Sequence, residues 1–274
     1  AVTLGACIHA FGWTREDIDS LAAGSLCGHI LECGAQATGG NFTDWESVEG
    51  WANIGAPIAE VSPDGSFVLT KPPGSGGIVT CGTVAEQMLY ETSDPQAYIV
   101  PDVVLDMSAV GLEQVGPDRV QVRGAIGYPS TATLKVCATF DRGWRGVAYQ
   151  PVIGPRAVQR ARKQAAALFE RGNAMCRARN LAPFIATEAV LIGAGATLGQ
   201  IDEAAEEVLI KLVVDHEDVT AVQSFVREQF AAISAMAPGT SVAFGISVAP
   251  LMRLVSFLIP KPEIVPQLGM GAGF

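Results

Sequence analysis

The chain has 274 residues, 49% of them hydrophobic and 7% aromatic, with a formal net charge of -10 and a pI near 4.8. That length holds one large or two modest domains, with a core of small aliphatics and 30 glycines rather than rings. So acidic a surface repels phosphate backbones and anionic lipid, which argues against nucleic-acid and membrane-surface roles but leaves room for an anionic substrate in a locally basic pocket.

The opening Ala-Val-Thr-Leu-Gly-Ala-Cys-Ile-His is already helical in pattern and has no capping residue, so an upstream segment is expected. Thr14, Glu16 and Asp17 mark a helix start, with Thr14 as cap and the acids at the positive helix end. The run 21–38 is interrupted only by small residues such as Ala22, Gly24, Gly28 and Gly34. It predicts a helix packed closely against other backbone and ended by Gly39-Gly40. Ser62-Pro63-Asp64-Gly65 predicts a turn between strands 58–61 and 67–70, and Gly116-Pro117-Asp118-Arg119 does the same between 112–115 and 120–123. Between the hairpins, a glycine-rich loop from Lys71 leads to a short strand and a helix capped by Thr83. An ordered loop is expected over 94–102, where Pro95 and Pro101 lie.

From about residue 131 the pattern changes. Two strands within 133–152 flank Asp141-Arg142-Gly143, and Pro155 precedes a basic amphipathic helix over 157–179. Strands at 185–192 and 208–214, a helix at 219–233 and a strand at 241–248 follow. The order β-α-β-β-α-β is that of a ferredoxin-like split β-α-β fold. The expected class is therefore α+β, with an N-terminal α/β portion (1–130) carrying the ligand loops and a ferredoxin-like portion over 131–274. The most apolar stretch, 242–259, is broken by Gly245, Pro250 and Arg253. A span needs about 20 continuous apolar residues, so no membrane helix is predicted. Cys7, Cys27, Cys33, Cys81, Cys137 and Cys176 form no C-x-x-C pair and read as free, buried thiols of a reducing compartment. No secretory signal is visible, and a cytoplasmic location is expected.

The densest polar cluster is His29-Ile30-Leu31-Glu32-Cys33-Gly34-Ala35-Gln36. At helical spacing His29, Cys33 and Gln36 share a face, and Glu32 lies one turn from Gln36. A His and a Cys one turn apart suit an activated thiolate, and Glu32 suits a general base. The competing reading is a buried Cys and a hydrogen-bonded His in a packed helix. Zinc would need further ligands, and Cys27 and Asp44 have no recognisable ligand spacing, so no metal is expected. Gly39, Gly40, Asn41, Thr43 and Asp44 have the composition of a ligand-facing loop, or of a helix end running into a turn, with Asp44 a further candidate catalytic carboxylate. Lys71 with Gly76, Gly77 and Thr80 resembles an anion cradle suited to the diphosphate of coenzyme A; a plain connection is the alternative. It is not a P-loop, because the lysine precedes the glycines. Glu86, one turn into the next helix, is a second candidate base. The basic helix, the 236–241 turn and Arg253 read as structural. Neither a Gly-x-Ser-x-Gly motif nor a dinucleotide fingerprint is present. Redox or nucleotide cofactors are therefore not expected, and coenzyme A enters only as part of a substrate.

The core Gly-His-Ile-Leu-Glu-Cys-Gly-Ala-Gln-Ala-Thr-Gly-Gly-Asn-Phe-Thr-Asp-Trp of residues 28–45 resembles the signature of the acyclic terpene utilisation (AtuA) family. The likeness continues through Trp51-Ala52-Asn53-Ile54-Gly55, 71–90, Leu112 to Asp118, Met236 to Thr240 and Arg253 to Leu258, nearly the whole chain. It implies an α/β segment upstream of Ala1 and a part in bacterial breakdown of citronellol- and geraniol-type terpenes. It supplies neither a reaction nor catalytic residues. The expectation is a catabolic enzyme using acid/base chemistry (hydration, isomerisation or hydrolysis) on an isoprenoid acyl-CoA or related acid, as a homo-oligomer or with an upstream α/β segment or subunit. The rival is a noncatalytic subunit or scaffold that binds partner enzymes of the pathway. Convergence of His29, Glu32, Asp44, Lys71 and Glu86 on one concave site would favour the enzyme, and their dispersal over the surface would favour the scaffold.

Overall fold

The computed structural model describes residues 2–241 and 245–267, and the chain divides into two compact units, 1–134 with 258–274, and 135–257. The class is α+β, and among the described residues the strand pairings with a defined register are antiparallel.

The first unit contains α1 (Val2–Phe11), α2 (Ile18–Glu32), β1 (Ile58–Val61), β2 (Phe67–Thr70), α3 (Cys81–Leu89), β3 (Tyr98–Ile99), β4 (Val103–Asp106), β5 (Gly111–Gly116), β6 (Arg119–Arg123) and β7 (Ile126–Pro129). Its sheets run β1-β2-β6-β5 and β3-β4-β7. Alternation fixes the inner faces: Phe67 and Leu69, Val103 and Leu105, and Val120 and Val122 are buried one residue apart. They pack with Leu26 and Ile30 of α2. Each such side chain contributes about 1.5–3 kcal/mol through burial. The small residues of α2 lie where neighbours approach. A Cβ on Gly24 would stand 2.9 Å from Leu4 Cδ1 and 3.1 Å from the Trp13 ring, while one on Gly127 of β7 would stand 2.7 Å from the Ile18 carbonyl carbon.

Both predicted hairpins form, closing at Val61 opposite Phe67 and Gly116 opposite Arg119. Several local expectations are corrected. Asp17 rather than Thr14 is the N-cap of α2, no strand lies between β2 and α3 among the described residues, and the loop expected over 94–102 carries β3. The helix read over 21–38 ends at Glu32, because Gly34 takes a left-handed φ of 57° and residues 34–38 wind on as a 3₁₀ turn. The cap of α3 is Thr80 rather than Thr83. Thr80 Oγ1 accepts from the Thr83 N–H at 3.2 Å, and Thr83 Oγ1 accepts from the Thr80 N–H at 3.0 Å.

The second unit is formed by β8 (Thr133–Ile153), α4 (Ala157–Ala178), β9 (Ala186–Ile192), β10 (Glu207–His216), α5 (Val219–Ala235) and β11 (Ser247–Pro260). The sheet order is β11-β8-β10-β9, with β10 inserted antiparallel between β8 and β9. Val158, Ala161 and Leu168 of α4 and Phe225 of α5 bury Ala148, Ile210, Leu212 and Val214 of the sheet. The two strands expected either side of Asp141-Arg142-Gly143 are one strand. Asp141 Oδ1 accepts from the Gly143 N–H at 2.8 Å, and Gly143, at φ 102°, lies hard against His216, so the turn residues bend β8 without ending it. The last strand runs over 247–260 instead of 241–248; residues 242–244 lie outside the described residues. Arg145 forks onto Asp215 through two 2.7 Å hydrogen bonds, and the basic helix spends Arg162 and Arg171 on surface pairs with Glu203 and Glu228. Such exposed pairs are worth about 0–1 kcal/mol. No helix of the described residues is long and apolar enough to cross a membrane.

All six cysteines are free; Cys7, Cys27 and Cys176 are buried, whereas Cys137 is exposed. Burial, with a smaller contribution from Cys7, pushes the Cys27 thiol up from 9.0 to about 12. The unfolded chain therefore releases this proton at lower pH than the folded one. The stability Cys27 contributes is complete below about pH 9 and falls as pH rises towards about 12. Urea unfolding at about pH 8 and about pH 10 is expected to show a decline that shrinks in Cys27→Ala. An equal decline in both proteins would refute the assignment.

Candidate functional site

The last turn of α2 carries His29 and Glu32 one turn apart. His29 is buried, and its Nδ1 lies 2.7 Å from Glu32 Oε1, on a side chain that remains 50% exposed. A carboxylate only accepts, so the Nδ1–H is the hydrogen-bond donor in this contact. The Tyr98 hydroxyl stands 3.3 Å from the same nitrogen, with ring centroids 5.0 Å apart. Because Nδ1 is a donor, Tyr98 meets it through oxygen, and the phenol hydrogen is left for another acceptor. Burial first, then the charges of Glu32, Glu91 and Cys33, raise the Tyr98 pKa, so the phenol keeps its proton at neutral pH. On the far side of the ring, Nε2 lies 3.5 Å from Thr92 Oγ1.

The backbone holds this arrangement in place. Carbonyls in the last turn of a helix lack intrahelical partners. Buried Gln87 of α3 satisfies the His29 carbonyl, donating from Nε2 at 3.0 Å. A cavity of about 390 Å³ opens beside the dyad, lined by Ser25, Gly28, His29, Glu32, Tyr98 and Asp102 among others. It offers a carboxylate positioned by an imidazole and a neutral phenol within one concavity, the elements of proton transfer to and from a bound ligand.

The other predicted site residues fall elsewhere. Cys33 is the C-cap of α2, and Gln36 lies in the 3₁₀ turn, so neither continues the helical face of His29. The Gly39 and Gly40 N–H groups donate to Gln36 and Ala35 carbonyls at 3.3 and 2.8 Å, closing that turn. Asn41 Nδ2 donates to Gln36 Oε1 at 3.5 Å, and the Thr43 hydroxyl donates to the Glu86 carboxylate. Asp44 heads the short turn over Trp45–Ser47. Lys71, with its side chain only 8% exposed, pairs with Asp118 at 3.2 Å and donates to the Ser75 carbonyl at 2.8 Å. The N–H groups of Gly76 and Gly77 donate to the Asn53 and Glu49 carbonyls, both at 2.8 Å, and Thr80 caps α3. The donors that would cradle an anion are thus engaged within the fold. Of His29, Glu32, Asp44, Lys71 and Glu86, only His29 and Glu32 line this cavity. Tyr98, Thr92 and Gln87 escaped sequence reasoning because nothing local marks them.

Fold and cavity together define an α+β protein with a half-exposed carboxylate held by a buried histidine. The family model described as acyclic terpene utilisation family protein AtuA matches residues 1–270, and the chain belongs to that family. Membership implies involvement in acyclic terpene utilisation. No curated protein and no solved structure matches the chain.

Proposed function

We propose that the protein is a cytoplasmic catabolic enzyme that carries out acid/base chemistry (hydration, isomerisation or hydrolysis) on an isoprenoid acyl-CoA or related acid. The observation that carries this reading is the half-exposed Glu32 carboxylate, held by buried His29 beside the protonated Tyr98 in one cavity. In this mechanism Glu32 moves the proton, Tyr98 donates a hydrogen bond to the substrate oxygen, and His29 is a positioning residue. The loop over 39–44, the 71–80 segment and Glu86 support the site by fixing the ends of α2 and α3. Family membership supports the terpenoid skeleton, and six free thiols support a reducing compartment.

Thermal unfolding across a panel of acyl-CoA esters, free terpenoid acids and coenzyme A tests this reading. A ligand at about 100 times its Kd adds roughly 2.7 kcal/mol, a clear rise in Tm. Selective stabilisation by a branched acyl-CoA or its acid is expected; no shift with any of them would sink the reading. The partner-binding alternative has two observations in its favour. Asp44, Lys71 and Glu86 do not join His29 and Glu32 at the cavity. The edge strand β11 exposes Leu254 and Leu258 at 63% and 67%, more apolar surface than an edge normally leaves open. Under that alternative the whole panel is silent and the protein self-associates or captures a pathway enzyme through β11.

A further inference from the structure

A second cavity, of about 610 Å³, adjoins the first: Pro101 and Asp102 line both. Its volume is that of a small-molecule site. Ile8, Trp13, Ile18 and Tyr128 supply apolar walls, Thr14, Asp102 and Ser130 supply polar ones, and Arg15 and Lys261 add two cations. Lys261 Nζ donates to the Pro101 carbonyl at 2.7 Å and to Ser130 Oγ at 2.8 Å, which leaves its third hydrogen unused. Arg15 is exposed, and neither cation forms an ion pair among the described residues. Neither Glu16 nor Asp17, the acids that follow Arg15 in the chain, forms an ion pair with it among the described residues. Asp17 instead accepts from the Thr14 N–H at 2.7 Å and the Thr14 hydroxyl at 2.8 Å. Asp102 is the one carboxylate lining the cavity.

We propose that this cavity binds an aliphatic monocarboxylate, its carboxylate on Arg15 and Lys261 and its hydrocarbon tail along Ile8, Trp13, Ile18 and Tyr128. Two cations at the edge of an apolar hollow select a molecule with one anionic end and one greasy end. A guanidinium also presents a fork that matches both carboxylate oxygens. A neutral hydrocarbon would leave the cations unused, and a polyphosphate would leave the apolar walls unused. The binding goes beyond the acid/base reading and does not require His29 or Glu32 to be catalytic.

Calorimetric titration of the whole chain with octanoate, octanol and coenzyme A tests it. Octanoate is expected to bind at least about tenfold more tightly than octanol, the equivalent of one charge-assisted contact. Its affinity should fall with added salt. Arg15→Gln should cost about tenfold, and Asp102→Asn, which removes a repelling charge, should tighten binding. Arg15 is the decisive position, since it is exposed and unpaired, whereas Lys261→Gln also releases the Pro101 carbonyl. His29→Gln should bind octanoate like the wild type, and octanoate binding by a wild-type protein that turns over no acyl-CoA or acid would keep this inference and discard the catalytic one. Equal affinities for octanoate and octanol, no effect of Arg15→Gln, displacement by coenzyme A, or no octanoate binding would each overturn it.

Discussion

Glu32→Gln is expected to lower turnover of a branched acyl-CoA or its acid by about 10²–10⁴-fold, the range for removing a general acid or base. The amide is nearly isosteric with the carboxylate, and its oxygen still accepts from His29 Nδ1, which stands 2.7 Å from Glu32 Oε1. Folding should therefore be unchanged while the proton acceptor is gone. Tyr98→Phe keeps the ring beside His29 and removes only the hydroxyl, so it should cost kcat less than Glu32→Gln does. Steady-state kinetics together with thermal unfolding decide the matter. Wild-type kcat/KM in a well-folded Glu32→Gln would remove the carboxylate from the mechanism.

Gly76→Ala is expected to destabilise the protein by about 3 kcal/mol, the upper part of the range for a group forced into filled space. The added Cβ would stand 2.6 Å from the Gly50 carbonyl carbon and 2.8 Å from Gly50 Cα, with the carbonyl oxygen closer still. Backbone atoms cannot swing aside as a side chain can. The 49–55 segment would have to separate from 75–77, breaking the bonds from the Gly76 N–H to Asn53 and the Gly55 N–H to Gly76. Gly74→Ala is the control. It has a left-handed φ of 75° but nothing within 4 Å of its Cβ, so only the conformational penalty of about 1 kcal/mol applies. Urea unfolding of both variants gives the comparison. A Gly76→Ala protein no less stable than Gly74→Ala would show that the loop yields there, and would restore room for a ligand.

The strands were legible where local chemistry is decisive. Alternating Phe67 and Leu69, or Val120 and Val122, display a period of two, and Pro63-Asp64-Gly65 and Pro117-Asp118 display the turns between them. Helix ends were less legible. Gly34 and the Gly39-Gly40 pair are both acceptable stops, and the choice lay with the backbone conformation at Gly34. Asp141-Arg142-Gly143 has turn chemistry, yet β8 runs through it.

The sequence by itself determined the α+β class and placed His29 and Glu32 on one helix, although its spacing pointed to Cys33 as the partner of His29 and to Gln36 as that of Glu32, where the structure pairs the two residues three apart. Tertiary structure alone brought Gln87, Thr92 and Tyr98 to His29 across 58, 63 and 69 residues of chain. It also turned Lys71 from an apparent anion ligand into the partner of Asp118. Periodicity and turn sterics act within a few residues and are written along the chain. The partner of a buried polar group is chosen by whichever distant element packs against it.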